Sequence, residues 1–289
     1  MKNILLHLRL PFSLFLLPVY LFALSQASPV DTPHAWWAFI LIHLFLYPAS
    51  NAYNSYYDKD EGSIGLLETP PPVSKELLIT AWAIDLAAIL IALLVDLGIP
   101  FVLYLIIYGF ISKAYSHPII RLKKYPILSW AVVSLFQGAF TYLATIQVVS
   151  QVEVSSLFTM QHLLPALIST SNLLAVYPLT QVYQHEEDAS RGDLTYSRLV
   201  GINGTFLNAA VFFSLSFLGF IYYFLHSGSE NSLFILTVCM GPVLGYFGVW
   251  WWMVRSNPKE ANFIHTMRMN ILASLGLNIF FGILCFYTL

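Results

Sequence analysis

Charged residues are scarce in this sequence. Only 10% of its 289 residues are Asp, Glu, Lys or Arg, whereas about 25% is usual in soluble domains. Hydrophobic residues make up 58% and the mean hydropathy is +0.71. An ordinary soluble globular protein is therefore excluded, and a membrane protein is indicated. The net charge of −2 is close to balance, so nothing in the composition suggests a nucleic-acid partner.

Cysteine is also scarce, because the chain has only Cys239 and Cys285. Both fall inside apolar runs, so a disulfide framework is not indicated. We expect both to be small buried apolar side chains.

The apolar residues form about nine runs, most of them near the twenty residues that a bilayer core requires. They predict an all-α, polytopic membrane protein that forms a single domain over residues 1–289. The runs cover residues 10–24, 35–56, 76–97, 101–115, 127–149, 163–184, 206–225, 233–254 and 270–287.

The basic residues give the predicted spans an orientation. All 13 Lys and Arg residues fall on one side of such an arrangement, in alternate loops. The opposite loops contain none. By the positive-inside rule, the N-terminus is expected in the cytoplasm and the C-terminus on the opposite side. We expect a bacterial cell membrane as the location.

A polar stretch closes the second apolar run, at the predicted cytoplasmic boundary. At about 100° per residue, Asn54, Asp58 and Glu61 share one face of a continuing helix. Asn51 lies about 60° from that face, and Asp60 points well off it. Amides inside an apolar helix are costly against lipid, so this face is expected to line a central cavity.

A second polar stretch closes the sixth run in the same way. Tyr177, Gln181 and Gln184 lie on one helical face, which continues through Asp188 and Arg191. Any single acid here has an alternative role as a solvated helix end. The amides that accompany the acids instead favour two facing polar walls.

Oxygen ligands without clustered His or Cys are typical of magnesium or calcium sites rather than zinc sites. Magnesium commonly binds one or two carboxylates together with substrate phosphates, so these walls suit a divalent cation carrying a diphosphate. Basic residues on the same side can bind the remaining phosphate charge, or can simply orient the chain in the membrane. They are Lys113, Lys123, Lys124, Arg191 and Arg198.

In these motifs the chain resembles the UbiA superfamily of intramembrane prenyltransferases. The second helix of that family ends in N-x-x-x-D-x-x-x-D, whose first part Asn54 and Asp58 match. Its sixth helix ends in D-x-x-x-D, to which Asp188 corresponds. Further segments are similar to the family's loops: Arg191-Gly192-Asp193-Leu194-Thr195, Leu199-Val200-Gly201, Tyr115-Ser116-His117-Pro118 and Leu122-Lys123-Lys124.

Two acids of the family pattern are missing. The second acid of the first motif falls on Gly62, for which Glu61 is the geometric substitute and Asp60 the alternative. The first acid of the second motif is replaced by Gln184. The basic residue often found before the proline of the following loop is also missing, since residues 69–72 are Thr-Pro-Pro-Pro.

The resemblance implies a magnesium-dependent enzyme of quinone or isoprenoid biosynthesis. It would transfer a polyprenyl group from an allylic polyprenyl diphosphate to a small acceptor, for which an aromatic ring is one candidate. Magnesium would assist the loss of diphosphate, and the apolar cavity would exclude water. The implied roles are catalysis by Asn54, Asp58 and Asp188, metal binding by Asp58, Glu61 and Asp188, and substrate binding by Asn51, Lys123, Gln181, Gln184, Arg191 and Arg198.

The alternative is an ion-coupled transporter or channel, with Asp58, Asp85 and Asp188 as ion-binding residues. Transporter sites commonly lie near the bilayer midplane on broken helices, whereas both acidic stretches here are predicted at one edge. That asymmetry favours an enzyme that takes a charged head group from the cytosol and a lipid tail from the membrane. A family member inactivated by the changes at Gly62 and Gln184 is a third interpretation.

Overall fold

The computed structural model describes residues 2–288, with side chains described through Phe286. Within that part of the chain the regular structure is helical, without strands. The helices are α1 (Lys2–Leu8), α2 (Leu17–Gln26), α3 (Thr32–Ile40), α4 (Tyr47–Asp58), α5 (Lys75–Leu94), α6 (Ile99–Ser116), α7 (Pro126–Leu135), α8 (Thr141–Ser150), α9 (Met160–Leu179), α10 (His185–Ser190), α11 (Tyr196–His226), α12 (Glu230–Ser256) and α13 (Phe263–Thr288).

Seven helices among the described residues are long and apolar enough to cross a membrane. An eighth span results if Lys2–Phe15 and Leu17–Gln26, which meet at a bend of 44°, are counted together. A further long helix joins α3 and α4 through a wide π turn over Leu41–Leu46. Its second half carries amides and a carboxylate, which lower its hydropathy. This architecture agrees with the predicted all-α membrane fold of about nine spans.

The helix that carries the first polar motif stops at Asp58. Lys59 has a left-handed backbone with φ of 49°, and its N–H bonds to the carbonyl oxygen of Ser55. A left-handed residue ends a helix because the following chain leaves the helical path. The expectation that the helix continues through Glu61 is therefore wrong.

The second polar motif is also interrupted, because α9 ends at Leu179. The N–H groups of Gln181 and Gln184 bond to carbonyl oxygens three residues back, which tightens the backbone into a 3₁₀ turn. Short α10 follows with its own axis. The predicted continuous face from Tyr177 to Arg191 is therefore broken into three pieces, each placed separately.

Close packing of α9 against the π turn Phe136–Phe140, which joins α7 to α8, fixes one wall of the bundle. A Cβ atom added at Gly138 would lie 2.6 Å from the Cα atom of Thr170. The N–H of Ala139 donates to the Thr170 hydroxyl at 3.0 Å. Glycine is therefore needed at this position because the two backbones approach too closely for any side chain.

Asp85 lies mid-helix on α5 and forms an ion pair with Lys113 of α6. The Lys113 ammonium lies 4.7 Å from the centre of the Trp82 ring, so an aromatic face also stabilises the charge. The mid-span carboxylate is thus paired between two helices, which favours a structural role over a place in an ion pathway.

Candidate active site

Carboxylates and cations alternate where α4 ends. Asp58 accepts a hydrogen bond from the Ser116 hydroxyl at 2.8 Å. It also forms an ion pair with Lys123 at 2.8 Å. Lys123 also reaches Asp193 at 3.0 Å. Arg121 donates two hydrogen bonds to the same Asp193 carboxylate, at 3.0 and 2.9 Å. The loop between α6 and α7 thus joins the end of α4 to the segment after α10.

The pKa shifts in this cluster favour its charged form. Burial disfavours the charge on Lys123, but the carboxylates of Asp58 and Asp193 outweigh it and raise the pKa of the ammonium. Burial likewise disfavours ionised Asp193, but hydrogen bonds from Arg121 and Lys123 lower the pKa of its carboxyl. The side chain of Asp193 is completely buried, so these partners replace its water.

A second ion-pair group lies beside the first and centres on Arg191. Its guanidinium pairs with the carboxylates of Asp60 and Glu187. Glu187 in turn accepts the backbone N–H groups of Glu61 at 2.9 Å and Gly62 at 3.2 Å. Burial, reinforced by the nearby charge of Asp58, raises the pKa of Asp60 despite its pairing with Arg191.

Gly62 shows how this chain departs from the family pattern. A Cβ atom at position 62 would lie 2.6 Å from a carboxylate oxygen of Glu187. The Glu187 carboxylate thus occupies the space that a side chain at position 62 would enter. Glu61 is exposed, and it loses the geometric basis for metal binding because the helix stops before it. Asp60, the alternative, is engaged with Arg191.

Several predicted substrate-binding side chains bond to the protein backbone instead of projecting freely. These bonds connect the polar stretches to neighbouring loops and helix starts, so the side chains help to build the site. They are Asn51 Nδ2 to Leu8 O at 3.3 Å, Ser197 N to Gln181 Oε1 at 3.3 Å, Gln184 Nε2 to Ser63 O at 3.3 Å, and Arg198 Nη1 to Asp193 O.

Asn54 and Asp188 keep oxygen atoms for another partner. Asn54 Oδ1 is buried and has no hydrogen-bond partner among the described residues. Asp188 is buried, and one of its carboxylate oxygens accepts from the Thr195 hydroxyl at 3.2 Å. Because an unpaired buried carbonyl oxygen is costly, Asn54 is a site where a ligand would be stabilising.

A cavity of about 270 Å³ begins at Asn54 and continues between the helices. Its lining becomes mainly apolar away from this end. Tyr115 and Tyr177 line the polar end, with their hydroxyl oxygens 2.7 Å apart. The polar end of the cavity is therefore adjacent to the charged cluster, since Asn54 lies one helical turn before Asp58 and Tyr115 directly precedes Ser116.

Arg9 lines the same polar end and was missed as a site residue by the sequence reasoning, which used it only for orientation. It occupies a left-handed position (φ of 46°) between α1 and the next turn. Its guanidinium lies 5.4 Å from the Phe12 ring centre, and its Nε atom has no hydrogen-bond partner among the described residues. In contrast to Lys123 and Arg191, it forms no ion pair within that part of the chain.

Within residues 2–288, no three His, Cys, Asp or Glu side chains converge as a metal site. Four carboxylates near this end are instead paired with Lys123 or Arg191, namely Asp58, Asp60, Glu187 and Asp193. A cation at Asn54 would need oxygen atoms from its ligand as well as from the protein.

The sequence matches the model of the UbiA prenyltransferase family over residues 15–272. The chain belongs to this family. No curated protein sequence matches it closely enough to count as a relative. The UbiA match spans both polar motifs and the loop that carries Arg121 and Lys123.

Solved structures share the UbiA fold along almost the whole chain. A UbiA homologue from Archaeoglobus fulgidus bound to DMAPP and Mg²⁺ has a TM-score of 0.68 at 16% identity, with 98% of this chain and 99% of that chain covered. The same homologue bound to GPP and Mg²⁺ gives 0.65 at 18%, with 98% and 99% covered. A digeranylgeranylglyceryl phosphate synthase gives 0.61 at 13%, with 97% of each chain covered.

Proposed function

We propose that this UbiA family member transfers a polyprenyl group from an allylic diphosphate to a small acceptor within the membrane. The bond between the allylic carbon and the diphosphate oxygen would break, and the diphosphate would leave with the electron pair. The acceptor would form the new bond to that carbon and release a proton. An aromatic ring is one candidate acceptor, because ring carbons next to a hydroxyl are electron-rich.

One observation carries this proposal: a mainly apolar cavity has a polar end at Asn54 and Arg9, and that end lies beside the charged cluster. A substrate suited to both must combine a compact anionic head with a long apolar tail. A prenyl diphosphate has that composition. The UbiA homologue that binds DMAPP and GPP with Mg²⁺ shares the fold, which supports the same class of ligand here.

The oxygen donors at this end fit a magnesium ion. Asn54 Oδ1 has no hydrogen-bond partner among the described residues, and we propose that it acts with the carboxylates of Asp58 and Asp188 and with substrate phosphate oxygens. Bound Mg²⁺ would neutralise charge on the departing diphosphate. Glu61 remains a predicted ligand without geometric support.

Basic side chains of the protein would bind the substrate phosphate and position the metal-binding carboxylates. Arg9, which forms no ion pair among the described residues, would bind a phosphate directly, and Lys123 would hold Asp58 in place. The faces of Tyr115 and Tyr177 would stabilise positive charge on the allylic carbon. The apolar channel would keep water from attacking that carbon. We also propose that this polar end faces the cytoplasm, as the basic residues predict.

Magnesium-dependent release of pyrophosphate tests the proposal. Purified protein in detergent would be given a panel of polyprenyl diphosphates, with and without candidate acceptors. We expect Asp58→Asn and Asp188→Asn each to lower turnover by roughly 100-fold or more, because charge stabilisation at the leaving group is lost. Asp96→Asn is the matched control, since Asp96 is an exposed loop residue with φ of 54°, which Asn tolerates well.

The transporter alternative predicts a different result. If wild-type protein released no pyrophosphate while a working UbiA homologue did so in parallel, the transferase proposal would fail. Ion flux through reconstituted protein, blocked by Asp58→Asn, would then establish transport. Absence of both activities in folded protein would favour an inactive member.

A further inference from the structure

The apolar channel has a measurable length. Along α9 and its C-terminal cap, it is lined from Thr180 at the polar end to Ser169, eleven residues along the chain. On α13 it is lined from Asn270 to Phe281, again eleven residues. With a rise of 1.5 Å per residue, each wall is about 16 Å long. Two walls on different helices thus give the same depth.

Three phenylalanines close the far end, and we call them the aromatic floor: Phe22, Phe220 and Phe281. The ring centres are 4.5 Å apart for Phe22 and Phe281, 5.5 Å for Phe22 and Phe220, and 6.0 Å for Phe220 and Phe281. None is more than 3% exposed. Rings at these separations are in contact, so the channel cannot continue between them.

A second aromatic layer lies behind the floor. Tyr142 is 5.3 Å from Phe22 between ring centres, and Phe224 and Phe280 are 6.0 and 6.4 Å from Phe220. All three side chains are buried. The floor is therefore supported by close-packed side chains, which resist displacement by a longer ligand.

We propose that the aromatic floor limits the prenyl chain to about three isoprene units. This inference rests on the proposed function. Each isoprene unit adds four carbons to the main chain, which is roughly 5 Å when extended, given carbon–carbon bonds of about 1.5 Å. A channel of about 16 Å therefore holds about three units, and a fourth would have to displace Phe22 or Phe281.

The test compares diphosphates with two, three, four and six isoprene units at one fixed acceptor. For wild-type protein, kcat/KM is expected to be highest at three units and to fall about tenfold or more at four, since a misfit in an apolar pocket costs at least this factor. Phe281→Ala removes a floor ring, so four units should become as good as three or better. Leu277→Phe adds bulk to the channel wall about 10 Å from Asn270 along α13 and should move the optimum to two units.

Phe101→Ala is the matched control, because Phe101 is buried to the same extent but packs against Tyr104 away from the channel. It should reduce stability without changing the length ranking. If Phe281→Ala does not fold, Phe220→Leu removes less volume from the same floor. Binding can be ranked separately through the rise in Tm that each diphosphate causes.

The outcomes separate this inference from the proposed function. Turnover of six units as fast as three in wild-type protein overturns the floor and leaves the transferase intact. The inference about the floor is also overturned if Phe281→Ala and Phe101→Ala rank the prenyl chain lengths in the same order. If no chain length releases pyrophosphate, the transferase proposal fails, and the Tm ranking alone decides whether the floor selects length.

Discussion

Two aspartates in the charged cluster should respond oppositely to the same substitution. Asp193 is fully buried and holds two bonds from Arg121 and one from Lys123. Removing one partner of a buried ion pair costs about 3–5 kcal/mol. Arg121 is 19% exposed, so the lower end applies, and Asp193→Asn should cost about 3 kcal/mol. At roughly 2–4 °C per kcal/mol, Tm should fall by about 6 °C or more.

Asp60→Asn should leave Tm unchanged or raise it slightly. Burial and the charge of Asp58 raise the pKa of Asp60, so its ionised form is disfavoured in the folded protein. Asparagine removes that cost, and Arg191 keeps its pairing with Glu187. Thermal unfolding in detergent, followed by tryptophan fluorescence, measures both changes.

The pH dependence follows from the same shifts. The folded pKa of Asp193 lies below its ordinary value of 3.8, so its stabilisation is complete above that value. It is lost as pH falls through the lower, folded pKa. The gap between wild type and Asp193→Asn should thus stay constant from neutral pH to about pH 5. A larger loss for Asp60→Asn than for Asp193→Asn would refute this reasoning.

Three other perturbations test separate features. Arg9→Gln should raise KM for the prenyl diphosphate about tenfold, because the loss of one hydrogen bond to a charged group weakens binding by about that factor. An unchanged KM in a steady-state assay would count against a role for Arg9 in phosphate binding. Gly138→Ala should lower stability by about 1–3 kcal/mol because the backbones are too close, whereas Gly245→Ala, with open space around it, should not. Lys113→Leu should lower Tm by leaving Asp85 unpaired, and Asp85→Leu added to it should restore most of the loss; a further drop in the double variant would argue against the pairing.

Much of the architecture could be predicted from the sequence, because apolar runs and basic loops report directly on membrane spans. The roles of Asn54, Asp58 and Asp188 were predicted from their match to family positions, and they stay predictions. The helix end at Asp58 could not, because periodicity assumes a regular backbone and Lys59 adopts a left-handed one. Glu61 was misplaced for that reason.

The ion pairs could not be predicted from the sequence either. Arg191 was expected to bind substrate, but Asp60, distant in sequence, engages it. Asp193 was read only as part of a similar segment, although it is the most deeply buried acid of the cluster. Pairing between distant residues depends on how loops pack, and no local pattern encodes that packing.

The contact between Gly62 and Glu187 makes the effect of one mutation depend on another. An acid restored at position 62, as in the family pattern, would collide with a carboxylate already present. An acid at position 62 should therefore displace the Glu187 carboxylate from the N–H groups of Glu61 and Gly62, and its cost should fall when Glu187 is shortened to Ala. The effect of a substitution at position 62 should consequently depend on the residue at position 187, so a mutational library should vary the two positions together.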